Sequence, residues 1–390
     1  DFHLHSKYTV AADKTTDIKN IAKIAKLKGL NLLGTGDGLY IPWIKELKEN
    51  LKNENGMYYY DSIYFIPSVE IKINTYVHSV ILSPSLDYFI ELKEKLKKYG
   101  KIDKITQPNL NINVEELIDI LKEYDMFLFP AHIFIPWQSL YAKYSSIQDF
   151  FKSKIKEIYA VELGLSADPK LANEVKELAC FTFLTNSDAH THWEIGREFN
   201  LIEVNDVNYK QIIKAIKENK VINYTQPGEL GKYHLTRCRN CKTFFHYNDA
   251  LHHKFTCPIC KGKIKLGVKD RIKHELSKNK EICTERKQRN YVIYISLLKL
   301  LEDLANIKRD EAKELCIKIL EKYKTTEIDL LYNLDLEKIG EDIRKIISVF
   351  RNNSYYIFPG GGYEEGKVQL EKPGIEFYSR KNKSMEDFLR

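Results

Sequence analysis

The sequence has no apolar run that approaches the roughly 18 residues expected of a membrane-spanning helix. It also shows no signal peptide, so we expect a cytoplasmic protein that has no membrane partner. Cysteines are few and odd in number: four of the seven form two CxxC pairs, and the other three are scattered. An odd count with clustered pairs indicates metal binding rather than a disulfide scaffold.

The chain is ordinary in bulk composition but uneven in charge. Its 390 residues allow two or three domains, and 29% charged with 43% hydrophobic residues is a typical globular balance. Residues 231–290 carry a net charge of +11, whereas the rest of the chain sums to −4. This asymmetry indicates a module that faces a polyanion. A solvated lysine-rich surface would explain the charge alone equally well.

Strand-like and helical segments alternate over residues 1–225. Repeated βα units of this kind predict a parallel, barrel-like α/β domain, in which functional residues gather just after the strands. The Pro227-Gly228 pair marks a break, which gives predicted domains at 1–228, 231–268 and 269–390. The last domain reads as helical from Lys269 to about Phe350, followed by a short C-terminal tail; one apolar helical stripe includes Val292 and Leu301.

Residues of metal-ligand type follow the apolar strands of the first domain. His3 and His5 lie on one face of a strand because strand side chains alternate, and Asp188 and His190 repeat that spacing. The full set is His3, His5, Asp37, Glu70, His78, His132, Asp188 and His190. Eight such residues are too many for one four-coordinate metal, so we expect two or three divalent ions. Any single histidine could instead be an ordinary core or surface residue.

Neighbouring divalent ions predict phosphoester hydrolysis without a side-chain nucleophile. Such ions activate a water, hold the non-bridging oxygens and stabilise the leaving oxygen. We expect Asp37, Asp188 and His190 to be the catalytic members of the set. The mixed nitrogen and oxygen ligands are compatible with Zn, Mg or Mn.

The two CxxC pairs have the spacing of a zinc ribbon. Cys238 and Cys241 are separated by 15 residues from Cys257 and Cys260. Four thiolates complete a tetrahedral shell, so we expect one structural zinc that folds a module too small for its own core. A redox role for the CxxC pairs suits this spacing less well.

Cations and aromatic side chains alternate around the cysteines. That mixture is typical of phosphate contacts combined with base stacking. The predicted DNA contacts here are Arg237, Arg239, Lys242, Lys261, Lys263 and Lys265. The aromatic residues, which include Phe244 and Phe245, could instead form the small core of the ribbon.

The order of motifs in residues 1–225 resembles the polymerase and histidinol phosphatase (PHP) superfamily. The matching features are HxH, a threonine-containing second motif, Glu then His, a lone His, and Asp-x-His. This resemblance implies a distorted (βα)7 barrel that holds up to three metals. The second motif here is Thr35-Gly36-Asp37, whereas the superfamily commonly has Thr-Asp-His.

A barrel, a four-cysteine ribbon and a helical region in one chain resemble the endonuclease Q family, which is found mainly in archaea. Local strings that match are His3-Leu4-His5-Ser6-Lys7-Tyr8, Leu33-Gly34-Thr35-Gly36-Asp37, Glu162-Leu163-Gly164-Leu165-Ser166-Ala167-Asp168 and Ser187-Asp188-Ala189-His190. The Thr-Gly-Asp variant of the second motif is a trait of that family.

The resemblance implies a DNA-repair enzyme that nicks the strand 5′ of deaminated bases (uracil, hypoxanthine, xanthine) and abasic sites. We expect the protein to be a monomer. A sliding clamp is a candidate protein partner. Ser166 and Asp168, in a loop at the barrel mouth, are candidates for lesion or backbone contacts, although Asp168 could simply cap the helix ahead of Lys170. The alternatives are a phosphatase of a small phosphoester and a non-catalytic DNA-binding or polymerase-associated module.

Overall fold

The computed structural model describes residues 1–54, 57–283 and 285–378. No helix among these residues is both long and apolar enough to cross a membrane. The helices are α1 Ile18–Lys28, α2 Ile41–Asn50, α3 Leu86–Leu96, α4 Val114–Lys122, α5 Leu140–Lys143, α6 Ile147–Phe151, α7 Pro169–Ala172, α8 Tyr209–Lys217, α9 Tyr247–His252, α10 Val268–His274, α11 Leu297–Leu304, α12 Arg309–Tyr323, α13 Glu327–Tyr332 and α14 Glu341–Arg351.

The strands are short, with two to six residues each. They are β1 Leu32–Gly34, β2 Lys52–Glu54, β3 Met57–Tyr60, β4 Ile63–Ile66, β5 Ser68–Ile73, β6 Val77–Leu82, β7 Asn109–Leu110, β8 Phe127–Pro130, β9 Ala160–Glu162, β10 Thr182–Leu184, β11 Phe199–Ile202, β12 Val221–Thr225, β13 Arg237–Cys238, β14 Ile264–Lys265, β15 Asn290–Ile293, β16 Tyr356–Phe358 and β17 Lys367–Gln369.

Local sequence signals explain the main helices of the first domain. The Asp17 side chain accepts from the Asn20 N–H and starts α1, which ends at Gly29 in the left-handed conformation. The predicted cap of α4 is confirmed, because the Asn113 side chain accepts from the Glu115 N–H. Both helices bury one apolar face against the strands, which leaves their charged face in solvent.

The strands of the first domain are not one parallel ladder, so the prediction of a parallel sheet is wrong in part. β1 pairs with β4 and β9 pairs with β10 in parallel, whereas β6 runs antiparallel to both β5 and β8. Every residue of β6 is buried, which places this strand in the interior. The domain is an α/β fold of PHP type, and closure into a (βα)7 barrel stays a prediction.

Backbone hydrogen bonds hold the N-terminal segment between β1 and the loop that follows β10. The Gly34 N–H donates to the Asp1 carbonyl and the His5 N–H donates to the Ala189 carbonyl, each at 2.8 Å. On another side, the Ile133 N–H donates to the Glu162 carbonyl at 2.9 Å, which joins the loop after β8 to β9. The residues that follow β1, β8, β9 and β10 therefore meet in one place.

The C-terminal region contains a strand where the sequence favours helix. The helical stripe predicted to include Val292 is wrong at that end: β15 pairs in parallel with β12 of the first domain, and α11 begins only at Leu297. One hydrophobic cluster runs from the first domain into α11–α14. The limits 1–228, 231–268 and 269–390 therefore stay predictions, and residues 379–390 of the tail lie outside the described chain.

The ribbon has its own small core. β13 and β14 pair antiparallel, and the cluster beneath them contains Cys238, Phe245, Ala250, Cys257 and Ile264. The alternative in which the aromatics form the ribbon's core holds for Phe245, whereas Phe244 is buried against Phe358 and Phe377.

Candidate metal centre

His3 and His5 enter the site on a segment that requires close backbone approach. A Cβ built on Gly36, whose φ is +63°, would lie 2.2 Å from the Leu4 carbonyl oxygen. Only glycine tolerates that contact and that conformation together. The second motif can therefore pack directly on the segment that carries the two histidines.

Seven of the eight predicted ligands converge in the structure. They form three overlapping groups whose ligand atoms lie within 4.8 Å of one another. The groups are His3, His5 and Glu70; His5, Asp188 and His190; and Glu70, His78 and His132.

Two carboxylates link these groups. Glu70 Oε1 lies 2.5 Å from His78 Nδ1 and 3.0 Å from His132 Nε2, while Glu70 Oε2 lies 3.6 Å from His5 Nε2. Asp188 Oδ1 lies 3.5 Å from His3 Nε2 and 3.3 Å from His5 Nε2. Both oxygens of Glu70 thus approach imidazoles from different parts of the chain, and one oxygen of Asp188 approaches both imidazoles of the N-terminal segment, as expected of a cluster that binds more than one ion.

Buried imidazole nitrogens in the cluster lack hydrogen-bond partners. Among the described residues these include His3 Nε2, His78 Nε2 and His132 Nδ1. A buried polar atom without a partner is costly, and metal coordination is one way to satisfy it. The donor set of neutral imidazoles and carboxylates fits divalent cations.

The electrostatics of the cluster follow from burial and proximity. Burial lowers the pKa of His5, but hydrogen bonds to Asp188 and Asp37 outweigh it and raise that pKa to about 10. Burial raises the pKa of the Glu70 carboxyl, but the charges of His78 and His3 hold it well below its usual value. Without an ion the cluster therefore retains protons, which a bound metal must displace.

Asp37 occupies a different position from the one predicted. Its Oδ2 accepts from the Ser6 N–H at 2.8 Å, the Ser6 hydroxyl at 2.5 Å and the Thr9 hydroxyl at 2.9 Å, and its Oδ1 lies 3.4 Å from His5 Nδ1. It belongs to none of the three groups. The geometry is that of a carboxylate that orients the His5 imidazole, whose Nε2 faces Glu70 and Asp188.

Three residues of the site adopt a left-handed backbone conformation. Asp37, His132 and Asp188 all have positive φ, at 50°, 31° and 49°. Non-glycine residues adopt this region at a cost, and they do so most often at functional sites.

Glu162 is a site residue that the ligand pattern did not include. It is fully buried, and both its oxygens accept from His3 Nδ1–H at 3.0 Å. Glu162 Oε1 also accepts from the His132 N–H at 3.0 Å, and Oε2 accepts from the Asn186 amide at 2.9 Å. A signal was present, because Glu162 ends a strand as the ligands do. Gln107 was also missed; its amide Nε2 lies 3.1 Å from His5 Nε2.

A cavity of about 270 Å³ opens on the metal groups. Glu70, His78, His132, Asp188 and His190 of the metal groups are among the residues that line it. Its other walls come from the loop after β9, from the segment that leads into the ribbon, and from α11. The wall residues of these three parts include Leu165, Ser166, Gly231, Lys232, Tyr233, Leu298 and Lys299.

The four cysteines of the ribbon come together as predicted. Cys238 Sγ lies 3.5 Å from Cys260 Sγ, and Cys241 Sγ lies 3.6 Å from Cys257 Sγ. Zinc–thiolate bonds of about 2.3 Å in a tetrahedron place the sulfurs about 3.8 Å apart. The cluster therefore fits a four-thiolate metal site.

Four of the eight predicted DNA contacts are engaged within the protein, and the other four have no carboxylate partner among the described residues. Ser166 is buried, and its hydroxyl accepts from the Tyr233 N–H. Asp168 caps α7 by accepting from the Leu171 N–H, which is the alternative role expected from the sequence. Arg237 is buried and pairs with Glu364, as does Lys242. The residues without a carboxylate partner in the described chain are Arg239, Lys261, Lys263 and Lys265.

Comparisons with known proteins agree with this geometry. A family model described as PHP-associated matches residues 170–221. The uncharacterized protein MJ0043 of Methanocaldococcus jannaschii is 40% identical over 258 residues, which are 63% of this chain and 32% of that protein. The chain thus spans about a third of the length of that relative.

Two solved structures match almost the whole chain. The lesion-specific endonuclease PfuEndoQ from Pyrococcus furiosus has a TM-score of 0.85 and 37% identity, covering 95% of this chain and 94% of that one. Endonuclease Q bound to a 27-mer duplex substrate with an abasic lesion at the active site has a TM-score of 0.87 and 36% identity, covering 95% and 96%. The chain therefore belongs to the endonuclease Q family.

Proposed function

We propose that this protein is a metal-dependent DNA-repair endonuclease that hydrolyses a phosphodiester beside a damaged nucleotide. The observation that carries the proposal is the convergence of three ligand groups at one cavity. The chain matches a lesion-specific endonuclease and a lesion-bound complex along nearly its full length, which supports the same conclusion.

Two or three divalent ions, of Zn, Mg or Mn, would be held by His3, His5, Glu70, His78, His132, Asp188 and His190. When bound, such ions supply an activated water and neutralise charge on the phosphate. The protein's own contribution is orientation: Glu162 fixes His3, and Asp37 with its three hydrogen bonds fixes His5. We assign Asp188 and His190 to the catalytic group and Asp37 to positioning.

The cavity gives a physical basis for choosing damaged nucleotides. A deaminated base pairs poorly and costs less to extrude from the duplex than a normal base. Deamination also replaces an exocyclic amine by a carbonyl, so a site with donors there would leave buried groups unpaired around the normal base. The cavity is large enough to admit one base, and we infer cleavage 5′ of uracil, hypoxanthine, xanthine and abasic sites.

The ribbon would hold one structural zinc through Cys238, Cys241, Cys257 and Cys260. A four-thiolate shell leaves no open position, so this ion has no part in hydrolysis. A sliding clamp as partner, the monomeric state and a cytoplasmic location stay predictions.

The test is a strand-nicking assay on two substrates. A duplex with a single deoxyuridine and a small phosphomonoester are each incubated with the protein and Mg²⁺, Mn²⁺ or Zn²⁺. We expect a nick in the duplex and little hydrolysis of the monoester. Preferential hydrolysis of the monoester would indicate a phosphatase, and inactivity on both with every ion would indicate a non-catalytic DNA-binding module.

A further inference from the structure

The glycine-rich turn at residues 359–363 contains Tyr363, which packs against two residues that line the cavity. The Tyr363 ring stacks on Trp137, with ring centroids 4.9 Å apart and planes at 18°. Tyr233 meets the same Trp137 edge-on at 4.5 Å. Trp137 and Tyr233 line the cavity, and Tyr363 packs against both of them; we call these three residues the ring cluster.

The ring cluster is maintained against backbone strain. Tyr363 has a φ of 80°, which is a costly conformation for a bulky residue. Its N–H donates to the Lys232 carbonyl at 3.1 Å, and this bond ties the turn to the segment that leads into the ribbon. Such strain persists where the surroundings over-determine it, most often at functional sites.

Three cations sit on the rings. The Arg239 guanidinium lies 4.7 Å from the Tyr363 centroid, Lys265 Nζ lies 5.4 Å from both the Trp137 and Tyr363 centroids, and Lys232 Nζ lies 5.4 Å from the Tyr233 centroid. Within the described residues none of these three cations has a carboxylate oxygen within 4.0 Å.

Two other cations of the same module provide the contrast. Arg237 NH1 lies 2.7 Å and Lys242 Nζ 2.9 Å from the Glu364 carboxylate. An ion pair neutralises the charge that it positions, whereas an aromatic ring holds a cation through its quadrupole and leaves the full charge available. Lys232, Arg239 and Lys265 are therefore pre-positioned and still able to bind an anion.

We propose that the ring cluster and its three cations form the phosphate-binding site that holds the substrate strand at the mouth of the cavity. The anion is the phosphodiester backbone beside the nucleotide that enters the cavity, so this inference rests on the proposed function. Lys232 lies on the cavity wall itself, and Arg239 and Lys265 extend the positive charge outwards along the ribbon.

The test measures affinity for a lesion duplex against salt concentration. Full-length protein carrying Asp188→Ala keeps the strand intact during the titration. Each phosphate contact contributes about 0.9 to the slope of log affinity against log salt. We expect Arg239→Ala and Lys265→Ala each to lower that slope by about 0.9 and to weaken binding about eightfold at 0.1 M salt. The matched control, Lys242→Ala, removes a cation that already pairs with the Glu364 carboxylate and should lower the slope by less than either of these variants.

A second pair of variants separates the ring from the charge. Tyr363→Phe keeps a ring beneath Arg239, whereas Tyr363→Leu removes it in the same strained conformation. We expect the Phe variant to bind as the parent does, and the Leu variant to bind less tightly. The proposal is overturned if the Arg239 and Lys265 variants keep the parent slope, if Lys242→Ala lowers it equally, or if the Leu and Phe variants bind alike. Failure of the wild type to nick a lesion duplex would instead refute the proposed function.

Discussion

Replacement of Glu162 by glutamine tests how the metal centre is held together. The Glu162 carboxylate accepts from three donors, namely His3 Nδ1–H, the His132 N–H and the Asn186 amide. A glutamine has one acceptor oxygen and an amino group that must face a donor. Either the His132 N–H or the Asn186 amide therefore loses its acceptor, and His3 Nδ1–H keeps only one of its two acceptor oxygens.

These contacts determine how much stability and metal affinity Glu162→Gln should lose. An unsatisfied buried donor costs about 1–3 kcal/mol of stability. Loss of the carboxylate behind a metal-binding histidine typically lowers metal affinity about 10–100-fold. We therefore expect Glu162→Gln to stay folded, to unfold at a lower denaturant concentration than the wild type, and to need about 10–100 times more divalent ion for half-maximal nicking.

The matched control is Glu177→Gln. Glu177 is also buried and accepts from the Tyr141 hydroxyl at 2.7 Å and the Ser146 hydroxyl at 2.6 Å, but it does not line the metal cavity. This variant should lose similar stability and keep wild-type metal dependence. Equal metal dependence in wild type and Glu162→Gln, or an equal shift in Glu177→Gln, would refute the role assigned to Glu162.

Three further predictions follow from other parts of the structure. Cys257→Ser should remove one equivalent of bound zinc by elemental analysis and weaken duplex binding while the first domain stays folded; full zinc retention would contradict the ribbon assignment. Burial raises the pKa of Glu198 to about 8, so between pH 4.5 and 8 the folded state keeps a proton that the unfolded state loses, and stability falls with rising pH. Glu198→Gln should therefore gain stability relative to wild type by about 1.4 kcal/mol per pH unit over that interval, and an equal difference at pH 5 and pH 8 in denaturant titrations would contradict this. Gly164→Ala should slow nicking without abolishing folding, because its Cβ would lie 2.8 Å from His132 Cβ at a φ of +76°, and wild-type rates would show that His132 can shift freely.

The sequence predicts most of the metal centre because ligand type and strand position are local properties. His3 with His5 and Asp188 with His190 enter the same ligand groups as their positions after the strands predict. The position of Asp37 could not be predicted from such local properties. Whether a carboxylate contacts an ion or the far side of a histidine depends on which donors surround it, here the backbone and hydroxyl of Ser6 and the hydroxyl of Thr9.

Contacts between residues far apart in the chain explain the other differences between the predictions from sequence and the structure. The residues around Val292 fit a helical period, but they form β15 because they pair with β12, which precedes them by 68 residues in the chain. Arg237 and Lys242 resemble DNA contacts in sequence, yet both pair with Glu364, more than 120 residues away. Glu162 was missed since its partner His3 lies 159 residues earlier.

The most direct test of the proposed endonuclease activity is to map the cleavage products of a duplex that carries one deoxyuridine, using wild type and Asp188→Ala with added divalent ion. We expect a single nick on the 5′ side of the lesion by the wild type, and no nick by the variant although it still binds the duplex. A duplex left intact by the wild type with every ion, or cut at the same rate by Asp188→Ala, would contradict the proposal.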